Sequence, residues 1–271
     1  MVDDIKLAHI VIAFNSYGEQ RRVIEAAMDI ARNHQTHISG IFIHDPVVGQ
    51  VLEQPFTRYV NSVAASSFAF DRPALDAHFS AIASKLRLSL EASARANALS
   101  CSFEVLTDRH FIPPPDADLL VTQANTPFIE QTRRRLTQLI ETTSQKNQSL
   151  LFIRREFTGR RVIVLVNALS EASSRAVAWA AQLTRRPGQQ LWVQAAGPSL
   201  SAVRDWLAAI VPEIAAKIGL MQSIPAGAGA DVPADLAGGD LLIMDMSAAA
   251  ASPALLKALL TDTQANLLLI R

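Results

Sequence analysis

Residues 10–16 read IVIAFNS and residues 163–169 read IVLVNAL. Each is an apolar run that ends at or just before an asparagine, Asn15 or Asn167. An alanine-rich stretch with helical periodicity follows each run, as RRVIEAAMDIAR after the first and ASSRAVAWAAQL after the second. A strand followed by a helix is therefore predicted twice in the same chain.

Two further landmarks recur downstream in the same order. They are DLLVT (118–122) with DLLIM (240–244), and SLLFIRR (149–155) with NLLLIR (266–271). A series of landmarks that repeats in order indicates a duplicated α/β unit. We expect a first domain at 1–155 and a shorter second domain at 160–271. The boundary falls in the short polar stretch 156–160.

Composition excludes several classes of function. The chain has 271 residues, 49% of them hydrophobic and 18% charged, with a formal net charge of zero. A net charge of zero provides no electrostatic attraction for nucleic acid or anionic lipid, so we do not expect the protein to bind either. Its one cysteine, Cys101, excludes an intramolecular disulfide and suits a reducing compartment. With neither a signal peptide nor an apolar run of membrane-spanning length, we expect a cytoplasmic protein.

Short, uninterrupted apolar runs predict strands that are buried on both faces, as in a parallel sheet. A helical pattern over about 73–98 starts with proline and has no internal breaker. Alternating strands and helices predict an α/β fold of two tandem doubly wound domains, with five strands each. The predicted strands are His9–Phe14, Ile38–His44, Ser102–Leu106, Leu119–Thr122, Leu150–Ile153, Val162–Val166, Leu191–Ala195, about Met221–Ile224, Leu241–Met244 and Leu267–Ile270.

The first half also carries a segment at about 46–72 that the second half lacks. It holds the aromatic residues Phe56, Tyr59, Phe68 and Phe70, which make it too apolar for a free linker. One interpretation is a flap that packs on its own domain and fills the space beneath it. The other is a loop that covers a ligand or binds a partner.

The repeated unit resembles the universal stress protein family. An apolar strand ending in a small polar residue, an alanine-rich helix and a closing apolar strand match that family over nearly the whole chain, as two tandem copies. The resemblance implies a five-stranded parallel sheet between helices. ATP-binding members place nucleotide at the carboxyl ends of the first and fourth strands, the usual crevice of an open α/β sheet.

The phosphate-binding motif of those members is altered in the first half. Their first strand ends in aspartate, and their fourth leads into a G-x2-G-x9-G-[S/T] loop whose glycines let backbone amides approach phosphates. Here Gln123, Thr126 and Leu136 occupy the glycine positions, and Asn15 occupies the aspartate position. Thr137 keeps the hydroxyl.

The second half departs further from the motif. Asp245 stands where the first glycine would be, which places a carboxylate near the expected phosphates. Its loop is five residues shorter, because Arg154 lies 36 positions after Asp118 whereas Arg271 lies 31 after Asp240. No glycine follows Gly239. We therefore predict that neither half keeps the glycine loop.

We expect any small-molecule site to lie in the first half, at the ends of its first, second and fourth strands. The candidate residues are Asn15, His44, Asp45, Gln123, Thr126 and Thr137. Asn15 and its equivalent Asn167 could bind a polar ligand, or they could cap the turn and helix that follow. His44–Asp45 has no accompanying nucleophile motif and is more typical of a loop hydrogen bond, so no catalytic residue is assigned.

Other polar groups carry less information. His34 and His37 straddle a helix end, so we predict no metal site there. The arginines at 133–135 suit a phosphate or an acidic partner, or simply form a solvated helix face.

The sequence predicts a tandem universal-stress-type protein with a binding or regulatory role, no catalysis and no cofactor. Its fifth strands, 150–153 and 267–270, should pack side by side as an internal pseudo-dimer, and a homodimer of whole chains is also open. Its partner would be a protein or a small molecule. The alternative is a stress protein that binds ATP or AMP, and hydrolyses ATP weakly, through an altered site in the first half. A small-molecule enzyme using His44 and Asp45 is a third possibility, with no reaction type indicated.

Overall fold

The computed structural model describes residues 6–14, 20–32, 34–44, 58–61, 66–69, 72–107, 113–124, 139–146, 148–158, 160–221, 239–251 and 253–271. In the first half, two helices are α1 (Gln20–Ala31) and α2 (Arg72–Ala96), and residues 139–145 are also helical. The strands there are β1 (His9–Phe14), β2 (His37–His44), β3 (Arg58–Asn61), β4 (Ser66–Ala69), β5 (Cys101–Thr107), β6 (Leu119–Gln123) and β7 (Ser149–Ile153).

The second half repeats the alternation. Its strands are β8 (Arg161–Val166), β9 (Gln190–Ala195), β10 (Gly219–Met221), β11 (Leu241–Asp245) and β12 (Asn266–Ile270). Its helices are α3 (Glu171–Leu183), α4 (Leu200–Ile210), α5 (Met246–Ala251) and α6 (Pro253–Asp262). Among the helices of the described ranges, none is both long enough and apolar enough to cross a bilayer.

One ten-stranded sheet runs through both halves, in the order β10-β9-β8-β11-β12-β7-β6-β1-β2-β5. Each half contributes five strands to this sheet, and their spatial order is the same in both halves. Counted along the chain within each half, the order is fifth, fourth, first, second and third, which is β7-β6-β1-β2-β5 and β12-β11-β8-β9-β10. Pairing inside each half is parallel, as the apolar runs predict. The α/β doubly wound prediction is confirmed.

The two fifth strands meet in the middle of the sheet, and this junction is antiparallel. Leu151 is opposite Leu268, and the flanking pairs are Leu150 with Leu269 and Phe152 with Leu267. Residues 150–152 of β7 are equivalent to residues 267–269 of β12. If each residue of a pair is replaced by its equivalent in the other strand, the same three pairs result, so the register is symmetric. The expected adjacency of these two strands is therefore present, and neither is left as an open apolar edge.

A repeated aspartate ties the fourth strand of each half to the start of the first strand. Asp118 Oδ2 accepts hydrogen bonds from the backbone N–H groups of Ala8 (2.6 Å) and His9 (3.0 Å). Asp240 Oδ2 accepts from those of Arg160 (2.9 Å) and Arg161 (3.2 Å). The equivalent carboxylates thus perform equivalent structural roles.

The core lies on both faces of the sheet. On one face, α1, α2 and α3 cover apolar side chains such as Ile12 and Val164. On the other, residues 139–145, α5 and α6 cover side chains such as Val11 and Leu242. Each of the two clusters contains residues from both halves, so the core continues across the junction.

Most element boundaries agree with the prediction to within one residue, and two differ by two residues. The helix expected over 73–98 ends at Ala96, because Ala98 adopts a left-handed conformation (φ 54°) that closes its last turn. The strand expected from Met221 begins earlier, at Gly219, which pairs with Trp192. Gly219 has no side chain to collide with that indole, whereas a Cβ would lie 2.4 Å from the ring.

The segment at 46–72 contains a hairpin that the sequence did not predict. Its strands β3 and β4 pair antiparallel, with Tyr59 opposite Phe68. The remainder of the segment, including Phe56 and Phe70, lies outside the described residues. Whether the segment fills or covers a crevice stays a prediction.

Candidate functional site

The carboxyl ends of three strands meet at one edge of the first half. β1 lies between β6 and β2, with Ala13 opposite Thr122 on one side and Phe14 opposite Phe42 on the other. Parallel strands in adjacent positions end at the same side of the sheet, so residues that follow β1, β2 and β6 gather there. This is the edge at which the sequence places the candidate crevice.

Only part of that crevice is described. Gln123 ends β6 and is half-buried, and the next residue, Ala124, donates its N–H to the Ile153 carbonyl (3.0 Å). The backbone of His44 ends β2. Asn15, Asp45, Thr126 and Thr137 lie outside the described residues, as do the arginines at 133–135. Their roles remain predictions.

The equivalent edge of the second half is described in more detail. Asp245 is the last residue of β11 and is only 7% exposed. Its Oδ1 accepts a hydrogen bond of 2.7 Å from the backbone N–H of Ser247, in the first turn of α5. The carboxylate therefore accepts the hydrogen bond of a helix N–H group that could otherwise bind an anion.

No loop separates β11 from the helix that follows it. β11 ends at Asp245 and α5 begins at Met246, whose side chain is buried in the core. A phosphate-binding loop needs several residues whose backbone amides are free to face the ligand. The chain at this position instead turns directly into a helix.

Asn167 follows β8 at the same edge, and it does not cap α3. The cap of α3 is Ser170, whose hydroxyl accepts from the Ser173 N–H (3.1 Å). The capping interpretation is therefore wrong for Asn167, because the helix begins four residues after it. Among the described residues, the buried Asn167 Oδ1 has no hydrogen-bond partner. The polar-ligand interpretation of Asn167 stays a prediction.

Two large grooves lie elsewhere on the protein. One, of about 1060 Å³, runs between α1 and α2 and is lined by charges of both signs, including Arg21, Glu25 and Lys85. The other, of about 910 Å³, lies near the ends of α1 and α3. Neither is at the carboxyl ends of the strands, the usual position of a ligand in an open α/β sheet.

The second groove is lined by several positively charged side chains, and three of them lie just after the C-terminal ends of helices. Arg32 follows α1, and Arg185 and Arg186 follow α3. Positive side chains at helix C-termini interact favourably with the helix dipole, and the same carbonyl ends disfavour a bound anion. We therefore do not assign an anion site to this groove.

Sequence reasoning missed a polar cluster at the opposite, amino end of the strands. The rings of His9 and His37 lie 5.4 Å apart, on neighbouring strands, and serine hydroxyls surround them. Burial, followed by the nearby His9, lowers the pKa of His37, and Asp116 opposes that shift. A signal was present, since β1 and β2 both begin with the dipeptide His-Ile. Within the described ranges, no group of three or more His, Cys, Asp or Glu side chains could hold a metal.

Solved structures with the same fold include universal stress proteins. A universal stress protein from Archaeoglobus fulgidus DSM 4304 superposes with a TM-score of 0.62 at 9% identity, covering 98% of this chain and 97% of that one. A protein from Pseudomonas aeruginosa UCBPP-PA14, provisionally classed as a universal stress protein, gives 0.60 at 14% identity, covering 97% and 93%. A functionally unknown protein from Pseudomonas aeruginosa PAO1 gives 0.61 at 12%, covering 97% and 92%.

The sequence itself matches no protein-family model and no curated protein. Identities of this size establish the fold and nothing finer. The chain has the α/β fold of universal stress protein structures, over nearly its full length and theirs.

Proposed function

We propose that the chain is a tandem universal-stress-type protein with a binding or regulatory role in the cytoplasm. Its two domains, 1–155 and 160–271, would pack as an internal pseudo-dimer through β7 and β12. Support comes from the identical strand order of the halves and from the symmetric register around Leu151 and Leu268. Two-fold dimers are the commonest soluble homo-oligomers, and the two similar halves would reproduce that arrangement within one chain.

The proposal includes the absence of ATP binding through a glycine loop. The observation that carries it is the direct passage from β11 into α5, where the Asp245 carboxylate already accepts from the Ser247 N–H. A phosphate group placed there would meet a negative charge in a buried setting, which is unfavourable. In the first half, Gln123 and Thr126 stand at two glycine positions, and side chains there hinder close approach of the backbone to phosphate.

The alternative function is the binding of a nucleotide by the first half alone. The observation in its favour is that the ends of β1, β2 and β6 meet at one edge, as they must in a nucleotide-binding relative. Asn15, Thr137 and the arginines at 133–135 would then supply polar contacts to ATP or AMP. A protein partner or another small molecule would use the same edge.

Thermal unfolding in the presence of nucleotide separates these functions. We expect millimolar ATP or AMP, with magnesium, to leave the melting temperature nearly unchanged. A ligand at 100 times its dissociation constant would stabilise the fold by about 2.7 kcal/mol, which melting curves detect easily. A clear ATP-dependent rise would contradict the proposal. The variants Asn15→Ala and Asn167→Ala would then show which half binds, because only the variant at the true site should lose the shift.

A further inference from the structure

Strand β5 forms one edge of the ten-stranded sheet, and no strand of the described residues pairs with its outer side. Its inner side pairs in parallel with β2, where the Ile38 N–H donates to the carbonyl of Ser100, just before β5 (3.0 Å). Backbone groups of successive strand residues point to opposite sides, so the even-numbered residues of β5 bond to β2. The N–H and C=O groups of Phe103 and Val105 therefore point outward, where another strand could pair with them.

A groove of about 350 Å³ lies between this edge and helix α2. The aromatic rings of Phe42, Phe79 and Phe103 line it, and so does Val105, whose side chain is 49% exposed. Side chains that lie opposite each other on paired strands share a face of the sheet. A strand added to β5 would therefore place every second side chain over the groove, beside Phe103 and Val105. We call this surface the β5 groove.

Opposite charges stand at the two ends of the β5 groove. The Arg87 guanidinium lies over the Phe103 ring, 5.5 Å from its centroid, and Asp76 lines the groove further toward the start of α2. Arg87 lies 11 positions after Asp76, roughly 16 Å along the helix axis. Both side chains are exposed, and neither makes any of the described hydrogen bonds or ion pairs. Electrostatic complementarity favours a ligand with a positive group at one end and a negative group at the other.

Helix α2 runs antiparallel to β5, which fixes the direction of these charges. The Phe79 ring is 6.5 Å from that of Phe42, the residue opposite Val105. Arg87, further along the helix, lies over a residue nearer the start of β5. Asp76 therefore lies toward the carboxyl end of β5 and Arg87 toward its amino end. A peptide that pairs antiparallel with β5 would have its N-terminal part at Asp76 and its C-terminal part at Arg87.

We propose that the β5 groove binds an extended segment of another protein, which adds to the sheet as a strand antiparallel to β5. Four of its side chains, at alternate positions, face the groove. The first is basic and pairs with Asp76, the next two are apolar and lie beside Val105 and Phe103, and the last is acidic and pairs with Arg87. The two charged residues are six positions apart, roughly 20 Å in an extended chain, and their flexible side chains can reach both partners. Main-chain hydrogen bonds supply affinity in this binding mode, and the groove supplies specificity.

A second copy of this chain fits the edge less well. Glu104 is the central residue of β5, so two copies paired antiparallel over the whole strand would set two Glu104 carboxylates opposite each other. Like charges in that position are destabilising. The β5 groove is also separate from the candidate crevice at the ends of β1, β2 and β6, so its test does not depend on nucleotide binding.

Fluorescence anisotropy of the labelled peptide GKSITVSEG, blocked at both ends, tests the proposal on the full chain. We expect saturable binding with a dissociation constant below about 1 mM. Arg87→Glu should weaken binding at least about tenfold, because attraction becomes repulsion, and the peptide GKSITVSKG should restore binding to that variant. The matched control is Lys85→Glu, which reverses an exposed charge on α2 outside the β5 groove and should bind like the wild type.

Amide hydrogen exchange followed by NMR shows whether the peptide adds as a strand. Bound peptide should slow exchange of the outward N–H groups of Phe103 and Val105, and should affect Ser102 and Glu104 less, because β2 already accepts their hydrogen bonds. If Arg87→Glu does not fold by circular dichroism, this measurement on the wild type decides alone.

Three results would overturn the proposal. They are no binding of GKSITVSEG to the wild type at about 1 mM, wild-type affinity in folded Arg87→Glu, and unchanged exchange at Phe103 and Val105. A dimer in analytical ultracentrifugation that Arg87→Glu dissociates would show that a second copy occupies the groove, and would also refute it.

Discussion

At the scale of single residues, Asp118 and Asp240 show how one carboxylate can organise a strand junction. Each precedes the fourth strand of its half and accepts backbone N–H groups from the start of the first strand. Asp240 also accepts from the Arg155 guanidinium (3.1 Å). Charge-assisted bonds of this kind are stronger than neutral ones, and they fix where the first strand begins.

At the ends of the second-half strands, polar residues were predictable in position but not in role. That Asn167 directly follows β8 and Asp245 ends β11 was expected from the apolar runs before them. Which residue caps α3 depends on where the helix starts, and Ser170 is three positions further along than Asn167. The contact of His9 with His37 depends on strand register, which periodicity alone does not specify.

Cys101 provides a prediction at this scale. Burial raises the pKa of its thiol, and the Glu91 carboxylate adds to that shift while Arg95 opposes it. Less thiolate is then present at neutral pH, and the thiolate is the reactive form. We expect the native protein to react with iodoacetamide more slowly at pH 7.5 than the urea-unfolded chain does. Glu91→Gln should increase the native rate, and a native rate equal to that of the unfolded chain would contradict the assignment.

At the scale of elements, the sequence predicted a strand at each position of the ten-stranded sheet. The central strands are apolar throughout because they are buried on both faces, whereas the edge strands β5 and β10 are only partly buried. The hairpin of β3 and β4 was not predicted, since its sequence lacks an uninterrupted apolar run and pairs only with itself. Helix α2 was predicted over nearly its whole length. Its end was missed by two residues because Ala98, and not a glycine, takes the left-handed position.

The packing of α2 on β2 depends on the missing side chain of Gly40. A Cβ there would lie 2.6 Å from Leu90 Cδ2, 2.9 Å from the Phe103 ring and 3.0 Å from that of Phe14. Leu90 is fully buried, so it has little room to move. We expect Gly40→Ala to lower the free energy of unfolding by about 1–3 kcal/mol, the usual cost of overpacking.

Urea denaturation followed by circular dichroism measures this loss. Ser84→Ala, on the exposed surface of α2, is the control and should change stability by less than about 0.5 kcal/mol. A Gly40→Ala variant as stable as the control would show that the helix does not pack as closely as described.

At the scale of the whole molecule, the junction of β7 and β12 makes one sheet of the two halves. Asn266, at the start of β12, is fully buried, and its Oδ1 accepts from the backbone N–H groups of Arg154 (2.8 Å) and Arg155 (3.2 Å). The Arg154 side chain donates to the Leu260 carbonyl (2.6 Å). The polypeptide that leaves the first half is therefore bound directly to the last strand of the second.

Asn266→Ala should weaken this junction. The substitution leaves two backbone N–H groups without their acceptor, and each unsatisfied buried group costs about 1–3 kcal/mol. The loss is partly offset, because the substitution also removes Asn266 Nδ2, which has no hydrogen-bond partner in the described part of the chain. We expect a net loss of stability of about 1–3 kcal/mol by urea denaturation. The matched control is Ser149→Ala at the equivalent position of β7, whose hydroxyl makes none of the described hydrogen bonds. Equal effects of the two substitutions would refute the role of Asn266.

The central proposal is that the chain has no ATP-binding site built on a glycine loop. Mass spectrometry of the small molecules released from natively purified protein tests it most directly. We expect ATP and AMP to be absent at stoichiometric levels. In the second half, the Asp245 carboxylate and the direct start of α5 leave no phosphate loop, and in the first half no glycine stands at the three motif positions. Recovery of ATP or AMP at close to one molecule per chain would contradict it.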